Sequence, residues 1–587
     1  MFEKEQNAVE DKILKYLGKK NLSFAPLKWM PIPFSGEWGI STSFFQLASL
    51  EAKAGKIKNV AARAQEIAEE VKAHLGKISS FERIEAVRGY LNLYFSTSEY
   101  AQTVVDTILS EKECFGTGAK LNQQIMIEFS QPNTHKAFHV GHLRSAILGD
   151  ALCRIFQFAG YDVIRANYPG DMGLHVIKWL WNYLKFHKGE RPDKDITRWM
   201  GELYADANKK LEANPDLEVE VRELYRRWDQ RDPEVVALWK ETRQWSLDGF
   251  NQMYEKLGIT FDKYYFNSEF EHSGRKIVEE LIEKKIAIDE RPDGAVVVKI
   301  DELLGNENDK YRVLVVLRSD NTALYATEDL ALATQKFIDY PNLSKSYYVV
   351  DVRQSLHFQQ VFKTLEIAGR EWAKKCQHIP YEVVALPGNV VLASREGNVV
   401  LMEDLLREAV QRAMDVVKEN NPDFTDEQKQ AVAEAVGIGA IKYPMLSREN
   451  TKVVTFDWDS VLSLQGQTAT YIQYAYVRTS GILRKAKTDY SRSIKPDFQL
   501  EKPEIQLIDQ LSHLEDSVQR ATADFKPLEI TNYAFTLAKS FNDFYTQCPV
   551  LSAEEPVRSF RLRLVAACQQ VIANSLGLMG ITAPKAM

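Results

Sequence analysis

The chain has 587 residues, 45% of them hydrophobic and 26% charged, the balance of a globular protein with well-formed cores; the length prior suggests about four domains. The net charge, 74 − 81 = −7, excludes a protein that coats nucleic acid through bulk positive charge, while leaving room for local basic faces that bind RNA. No apolar run approaches the roughly 20 residues of a membrane span. The opening Met1-Phe2-Glu3-Lys4-Glu5 lacks the basic head and apolar stretch of a secretory signal. The five cysteines (Cys114, Cys153, Cys376, Cys548, Cys568) form no Cys-x-x-Cys pair, so neither a disulfide framework nor a zinc site is expected, and a reducing cytoplasm fits best.

Residues 1–115 read as a small mixed α/β domain, with helical patterns over Thr42–Ala54 and Val60–Leu75 and a β-rich stretch at Gly89–Phe95. Strand and helix then alternate. Ile125–Phe129 has the apolar run of a buried strand. Leu143, Ile147, Ala151, Ile155 and Phe156 share one helical face, and Asp162–Ala166 reads as the next strand. This is a βαβ unit, which requires parallel strands and a right-handed crossover. The alternation pauses near Trp179 for a charged, largely helical insertion over about residues 180–305. It resumes with strands expected at Arg312–Leu317, Tyr347–Val352 and Tyr381–Leu386, separated by helices at Glu328–Phe337 and Phe358–Gly369. From Met402 strand signals nearly vanish. The expected architecture is a doubly wound parallel, Rossmann-like sheet over 120–400, a helical connection over 401–460 and an all-α bundle over 461–587.

The strongest chemical signal is Ser130-Gln131-Pro132-Asn133-Thr134-His135-Lys136-Ala137-Phe138-His139-Val140-Gly141-His142, between the first strand of this alternation and its helix. Open parallel sheets bind ligands at the carboxyl ends of their strands, and a helix start offers free N–H groups and a positive dipole end to phosphate. Gly141 lets an adenine or ribose approach the backbone. Lys136, His139 and His142 can donate to charge developing on a phosphate. A bare His-x-x-His would suit two structural histidines or a metal pair equally well.

The whole string resembles the nucleotide-binding signature of class I aminoacyl-tRNA synthetases, and the preceding Pro-Asn-x-x-Lys resembles that of the arginyl-tRNA synthetases. Further segments extend the resemblance over most of the chain: Asn167-Tyr168-Pro169-Gly170-Asp171-Met172-Gly173-Leu174-His175, Arg318 to Asp329, Gln354 to Gln360, Tyr471-Ile472-Gln473-Tyr474-Ala475, and the ending Gly580 to Met587. The resemblance implies an arginine–tRNA ligase that uses ATP, accompanied by Mg2+, to join L-arginine to tRNA(Arg). It also implies tRNA-dependent activation and a monomer. A guanidinium group is planar and permanently charged, so its pocket needs carboxylates. Glu128 and Asp329 sit at the ligand edge of the sheet, and by resemblance Asn133, Tyr325 and Gln354 complete the pocket. As plain salt-bridge or helix-dipole partners these two acids would be unremarked.

The second nucleotide signature of class I enzymes is a lysine-rich loop after the last strand. Here it is Val391-Leu392-Ala393-Ser394-Arg395-Glu396-Gly397-Asn398, which has no lysine. Ser394 and Arg395 are its remaining candidates for ATP, with Lys136 supplying the missing charge. For tRNA the candidates are Tyr471, Gln473, Tyr474, Arg478, Phe544, Tyr545 and Met587, the aromatics for stacking on bases; at helical spacing the aromatics also fit a core. The N-terminal domain is expected at the tRNA elbow and the 401–460 connection at the stem. Two other readings stay open at this point. One is another class I synthetase, which would bring zinc-ligand cysteines or a basic pocket. The other is a catalytically dead relative that only binds RNA.

Overall fold

The computed structural model describes residues 3–20, 27–78, 81–306, 309–386, 390–391, 401–487 and 489–587. It divides into two compact units. One holds 1–115, 478–514 and 536–572; the other holds 116–477, 515–535 and 573–587. These units cut across the single bundle expected over 461–587.

The larger unit is built on a five-stranded, all-parallel sheet. Its strands in chain order are β1 (Gln124–Glu128), β2 (Asp162–Asn167), β3 (Lys263–Tyr264), β4 (Leu343–Asp351) and β5 (Cys376–Tyr381), arranged in space as β5-β4-β1-β2-β3. The chain winds outward from β1 through β2 to β3, then returns to the other side of β1 for β4 and β5. The strand order therefore reverses between β1 and β4, and that switch point opens the crevice where such sheets bind ligands. Helix α1 (Val140–Phe158) follows β1 and packs so closely on it that a Cβ on Gly149 would lie 2.1 Å from the Phe129 ring.

Between β2 and β3 come four helices, the last being α2 (Pro233–Leu257). Their apolar faces close on a core rich in tryptophan, including Trp179, Trp228, Trp239 and Trp245. Helix α2 begins where Asp232 accepts the N–H groups of Glu234 and Val235 with Pro233 at the first turn, and it ends at the left-handed Gly258. Helix α3 (Glu271–Glu283) follows β3, and helices α4 (Tyr325–Asp339) and α5 (Ser355–Ile367) flank β4.

Two expected strands are placed differently. The run Arg312–Leu317 forms a strand at Val313–Leu317, but it pairs antiparallel with Val296–Lys299 in a separate three-stranded sheet. Val313 and Val315 face outward there, so the run is one-sided rather than buried on both faces. Tyr381–Leu386 is split: Tyr381 ends β5, while Val384–Leu386 starts a small sheet with Val390–Val391 and Val454–Thr455. Arg144 of α1, itself buried, fixes this junction. Its guanidinium donates to the carbonyls of Glu382, Val383 (3.2 Å), Lys452 (2.9 Å) and Asn450 (3.0 Å).

Helices α6 (Met402–Asn420) and α7 (Asp426–Leu446) pack as a pair, and Met587 joins their core of Ala413, Val417, Val432, Ala433 and Val436. In the middle of α1, Asp150 accepts from Arg154 (2.8 Å) and Arg165 (2.6 Å). Beside it the buried Lys442 of α7 donates to the carbonyls of Leu257 (2.5 Å) and Gly580 (2.6 Å). Burial lowers the Lys442 pKa to about 8. A Cβ on Gly580 would lie 2.8 Å from both Asp150 Oδ2 and Lys442 Nζ.

In the smaller unit a four-stranded antiparallel sheet runs Trp29–Pro31, Gly39–Ser43, Tyr90–Phe95, Phe81–Val87, covered by helices that include Val60–Leu75 and Thr97–Glu111. The helix expected over Thr42–Ala54 begins only at Phe45, because Gly39–Ser43 pairs with Tyr90–Phe95. Trp38 Nε1 donates to the buried Asp509 at 3.0 Å, and Arg563 pairs with Asp106 at 2.5 Å, so the N-terminal sheet and the later helices share one core.

Candidate active site

The loop leaving β1 is held in an unusual conformation. Ser130, Gln131 and His135 all have positive φ (77°, 42° and 59°), a conformation that costs energy for residues with a Cβ and persists only when surrounding contacts fix it. Those contacts are present. The Ser130 N–H donates to Ser145 Oγ (2.9 Å), the Gln131 N–H to Asn167 Oδ1 (3.2 Å), and the His135 N–H to Ser246 Oγ (3.0 Å). The His135 ring lies between the hydroxyls of Thr134 and Thr242, fully buried and neutral, and is a core histidine.

The loop delivers His139 to the N-cap of α1, where its Nδ1 accepts the Gly141 N–H at 3.1 Å. With Nδ1 accepting, Nε2 carries the proton and is a donor. His142 stacks on it, ring centroids 3.9 Å apart. Burial, and then the nearby Lys136 ammonium, lower the His139 pKa to about 4. His142 is driven well down by burial, His139 and Lys136. Both imidazoles are thus neutral donors at pH 7. Lys136 has no carboxylate partner among the described residues; its Nζ lies 5.2 Å from the Tyr204 ring centroid. A free ammonium, two neutral imidazoles and a helix N-terminus converge on one spot, an arrangement suited to a polyphosphate.

The expected arginine residues are found in different states. Glu128, 2% exposed, is in ionic contact at 2.6 Å with Lys336 of α4, 0% exposed, and also accepts from Gln131 Nε2 at 3.1 Å. The Lys336 ammonium lies 3.6 Å from the Tyr348 ring centroid. Asp329, on the first turns of α4, pairs with His357 Nε2 of α5 at 2.5 Å. Gln354 is exposed on the turn just ahead of that histidine. Tyr325 opens α4 and is 75% exposed. Asn133 forms a β-bridge with Gly170, where a Cβ would come within 2.4 Å of its Oδ1. Sequence reasoning did not single out Glu328, Asn267, Lys336 or His357. Glu328 accepts from Asn267 Nδ2 at 2.5 Å, and the same amide donates to Tyr168 Oη at 2.9 Å. Glu328 stands next to Asp329 in the sequence, and a doubled acid was the available signal; for Lys336 and Asn267 there was none. Ser394 and Arg395 lie outside the described residues. The chain re-enters them at Leu401, which bridges to His139, and the Met402 N–H donates to Phe138 O at 2.9 Å.

Residues 104–458 match the family described as tRNA synthetases class I (R), catalytic domain, and residues 472–587 match the DALR anticodon binding domain. The chain belongs to the arginyl-tRNA synthetase family. It is 36% identical to an arginine–tRNA ligase of Clostridium perfringens, over 94% of this chain and 95% of that one, and 35% identical to one of Clostridium acetobutylicum, over 88% and 89%. A solved arginyl-tRNA synthetase of Thermus thermophilus superposes with a TM-score of 0.77 at 28% identity, covering 99% of this chain and 100% of that one.

The remaining candidates lie in the family's anticodon module or, for Tyr471, one residue before it, and the structure separates them. Gln473 is fully buried and donates to the carbonyls of Ala435 (2.9 Å) and Thr582 (2.8 Å), and Phe544 is 0% exposed. Neither presents a surface to RNA: Gln473 is needed to satisfy two backbone acceptors, and Phe544 fills a core. Tyr545 is 43% exposed, with Arg478 over its ring at 4.9 Å and held by Asn542 Oδ1 at 2.6 Å. Tyr471 packs on Phe535, ring centroids 5.4 Å apart. Tyr474, 38% exposed, and Met587 line an apolar cavity of about 320 Å³ with Val416, Leu462, Leu464 and Asn421. The Asn421 Nδ2 is buried there with no hydrogen-bond partner among the described residues. No described helix is long and apolar enough to cross a membrane.

Proposed function

We propose that this chain joins L-arginine to tRNA(Arg) at the expense of ATP. The arginine carboxylate attacks the α-phosphorus of ATP, giving arginyl-adenylate and diphosphate. A hydroxyl of the 3'-terminal ribose of the tRNA then attacks the activated carbonyl, and AMP leaves. No side-chain nucleophile is required; rate comes from alignment and from donors aimed at phosphate charge. One juxtaposition carries this reading: the head of α1, which follows β1 and bears the neutral His139–His142 pair, and the acidic head of α4, which precedes β4, both lie at the carboxyl edge of these two neighbouring parallel strands. Lys136, His139, His142 and the backbone at Gly141 act on ATP, with Ser394 and Arg395 closing from the loop. Mg2+ comes with the ATP, bound through phosphate oxygens and water. Asp329, Tyr325, Asn133, Gln354 and Glu128 form the arginine side.

The cavity at Tyr474 and Met587 takes an unstacked anticodon base, with Asn421 Nδ2 donating to its edge and the tyrosine supplying a ring to stack on. Tyr471, Arg478 and Tyr545 are further residues that contact the tRNA. Residues 1–115 meet the tRNA elbow and 401–460 its stem, and one chain suffices as a monomer. Activation depends on bound tRNA: diphosphate exchange into ATP is expected only when tRNA(Arg) is present, and robust exchange without it defeats that part. The decisive assay is aminoacylation of mixed tRNA with each amino acid in turn. Charging confined to arginine is expected; no charging at all would make the chain an inert RNA binder.

A further inference from the structure

The acids around the crevice are not equally compensated. Glu128 is matched by the Lys336 ammonium, and Asp329 is hydrogen-bonded to the His357 imidazole. Glu328 has no cationic partner among the described residues; it is held only by the neutral amide of Asn267. The charged groups facing it from the packed elements are spoken for. Glu271 of α3 is tied to Arg275 at 2.8 Å, and Asp171, beyond β2, to Arg243 at 2.8 Å. Tyr168 and Tyr325 bring neutral hydroxyls into the field of Glu328 and Asp329, and the Arg318 charge acts on Tyr325. The head of α4 therefore offers two adjacent carboxylates and a deficit of positive charge at the edge of the crevice.

We propose that Glu328 is a specificity-determining residue: with Asp329 it forms the anionic wall that accepts the guanidinium group of arginine, and it gives up a proton when that group arrives. This rests on the reading that Asp329 lies in the arginine pocket. Burial pushes the Glu328 carboxyl up and the Asn267 hydrogen bond opposes it; Asp329, Glu271 and Asp171 push further, bringing its pKa to about 7. In the empty pocket it is thus half protonated near neutrality. A permanently charged guanidinium restores the carboxylate, and the released proton goes to solvent. A neutral side chain of the same shape, such as the urea of citrulline, cannot do this.

With an empty-pocket pKa near 7, arginine should bind about tenfold more tightly at pH 8 than at pH 6. Isothermal titration of arginine into the full chain without tRNA, at pH 6.5 in buffers of different protonation enthalpy, should show roughly three-quarters of a proton released per arginine. Glu328→Gln keeps the shape and removes the charge. It should release no proton, bind arginine with the same affinity at pH 6 and 8, and lose several-fold of its preference for arginine over citrulline. Glu328→Asp should recover part of the release. Tight arginine binding by the unmodified chain with no buffer-dependent heat overturns the proposal and leaves the pocket standing, as does a Glu328→Gln variant that still releases the proton. No arginine binding at any pH removes the pocket itself, and the proposal with it.

Discussion

Replacing Lys336 by methionine isolates the buried ion pair. The substitution keeps the length of the side chain and removes the charge that sits 2.6 Å from Glu128, in a place where neither residue sees solvent. Breaking such a pair costs about 3–5 kcal/mol, because the surviving charge is stranded. The stranded carboxylate has one escape, which is to take up a proton. From an ordinary glutamate pKa of about 4.3, protonation costs about 3.7 kcal/mol at pH 7 but only about 1 kcal/mol at pH 5. The loss in Lys336→Met is therefore capped near 4 kcal/mol at neutral pH and should shrink to about 1 kcal/mol at pH 5. The sign follows from linkage: protonation neutralises the stranded carboxylate, so the variant's loss is smallest at low pH and grows as pH rises. Urea unfolding of the variant and parent at pH 5 and 7 measures this, following the transition of the larger unit by itself because the chain has two compact units. The double variant Glu128→Gln/Lys336→Met should regain most of the stability at pH 7. A loss of equal size at both pH values, or none at pH 7, would refute the reasoning.

Four further outcomes are expected. Asp329→Asn should raise the KM for arginine far more than that for ATP; parallel changes in both constants would move Asp329 out of the amino-acid pocket. Lys136→Ala, His139→Ala and His142→Ala should each slow adenylate formation by about 10²–10³, as loss of one charge-stabilising donor does, with tRNA binding kept; single-turnover rates near the parent's in all three would clear the signature of a catalytic role. Tyr474→Ala should weaken charging by roughly 5- to 150-fold, the value of one stacked base at about 1–3 kcal/mol, without shifting the melting temperature, and an unchanged kcat/KM for tRNA would empty that cavity of its role. Because the folded pKa of Glu328 is raised to about 7, its share of stability is present below pH 4–5 and lost as pH rises through 7. Glu328→Gln should thus melt progressively higher than the parent between pH 5 and 8, and parallel melting curves would contradict the shift.

Much of the site was legible because it is local. The strand, the signature loop and the helix that follow Gln124 announce themselves by apolar periodicity and by a run of unusual residues, and helix Val60–Leu75 was readable to the residue from its period. Partners distant in sequence were not. The Val-rich run at 313–317 has the composition of a buried parallel strand, and only its pairing with Val296–Lys299 reveals one exposed face. Lys336 and Glu128 are joined across 208 positions, and nothing around Lys336 marks it as a lysine without solvent. Phe544 and Tyr545 are neighbours of similar chemistry, and one faces a core while the other faces water, which only the packing of that helix decides. Met587, read in the sequence as a candidate for RNA contact, packs into the core of α6 and α7, so removing it will cost some stability as well as any RNA contact.

The knot around Gly580 has a mechanical meaning. Asp150, which that glycine abuts, is eight residues along α1 from His142, a rise of about 12 Å on a single continuous rod. Gly580 is packed closely there, since a Cβ would lie 2.8 Å from both Asp150 Oδ2 and Lys442 Nζ. The turn at 577–580 therefore bears on the middle of the same helix that carries the imidazoles at its head. Whatever tilts that helix tilts His139 and His142 with it.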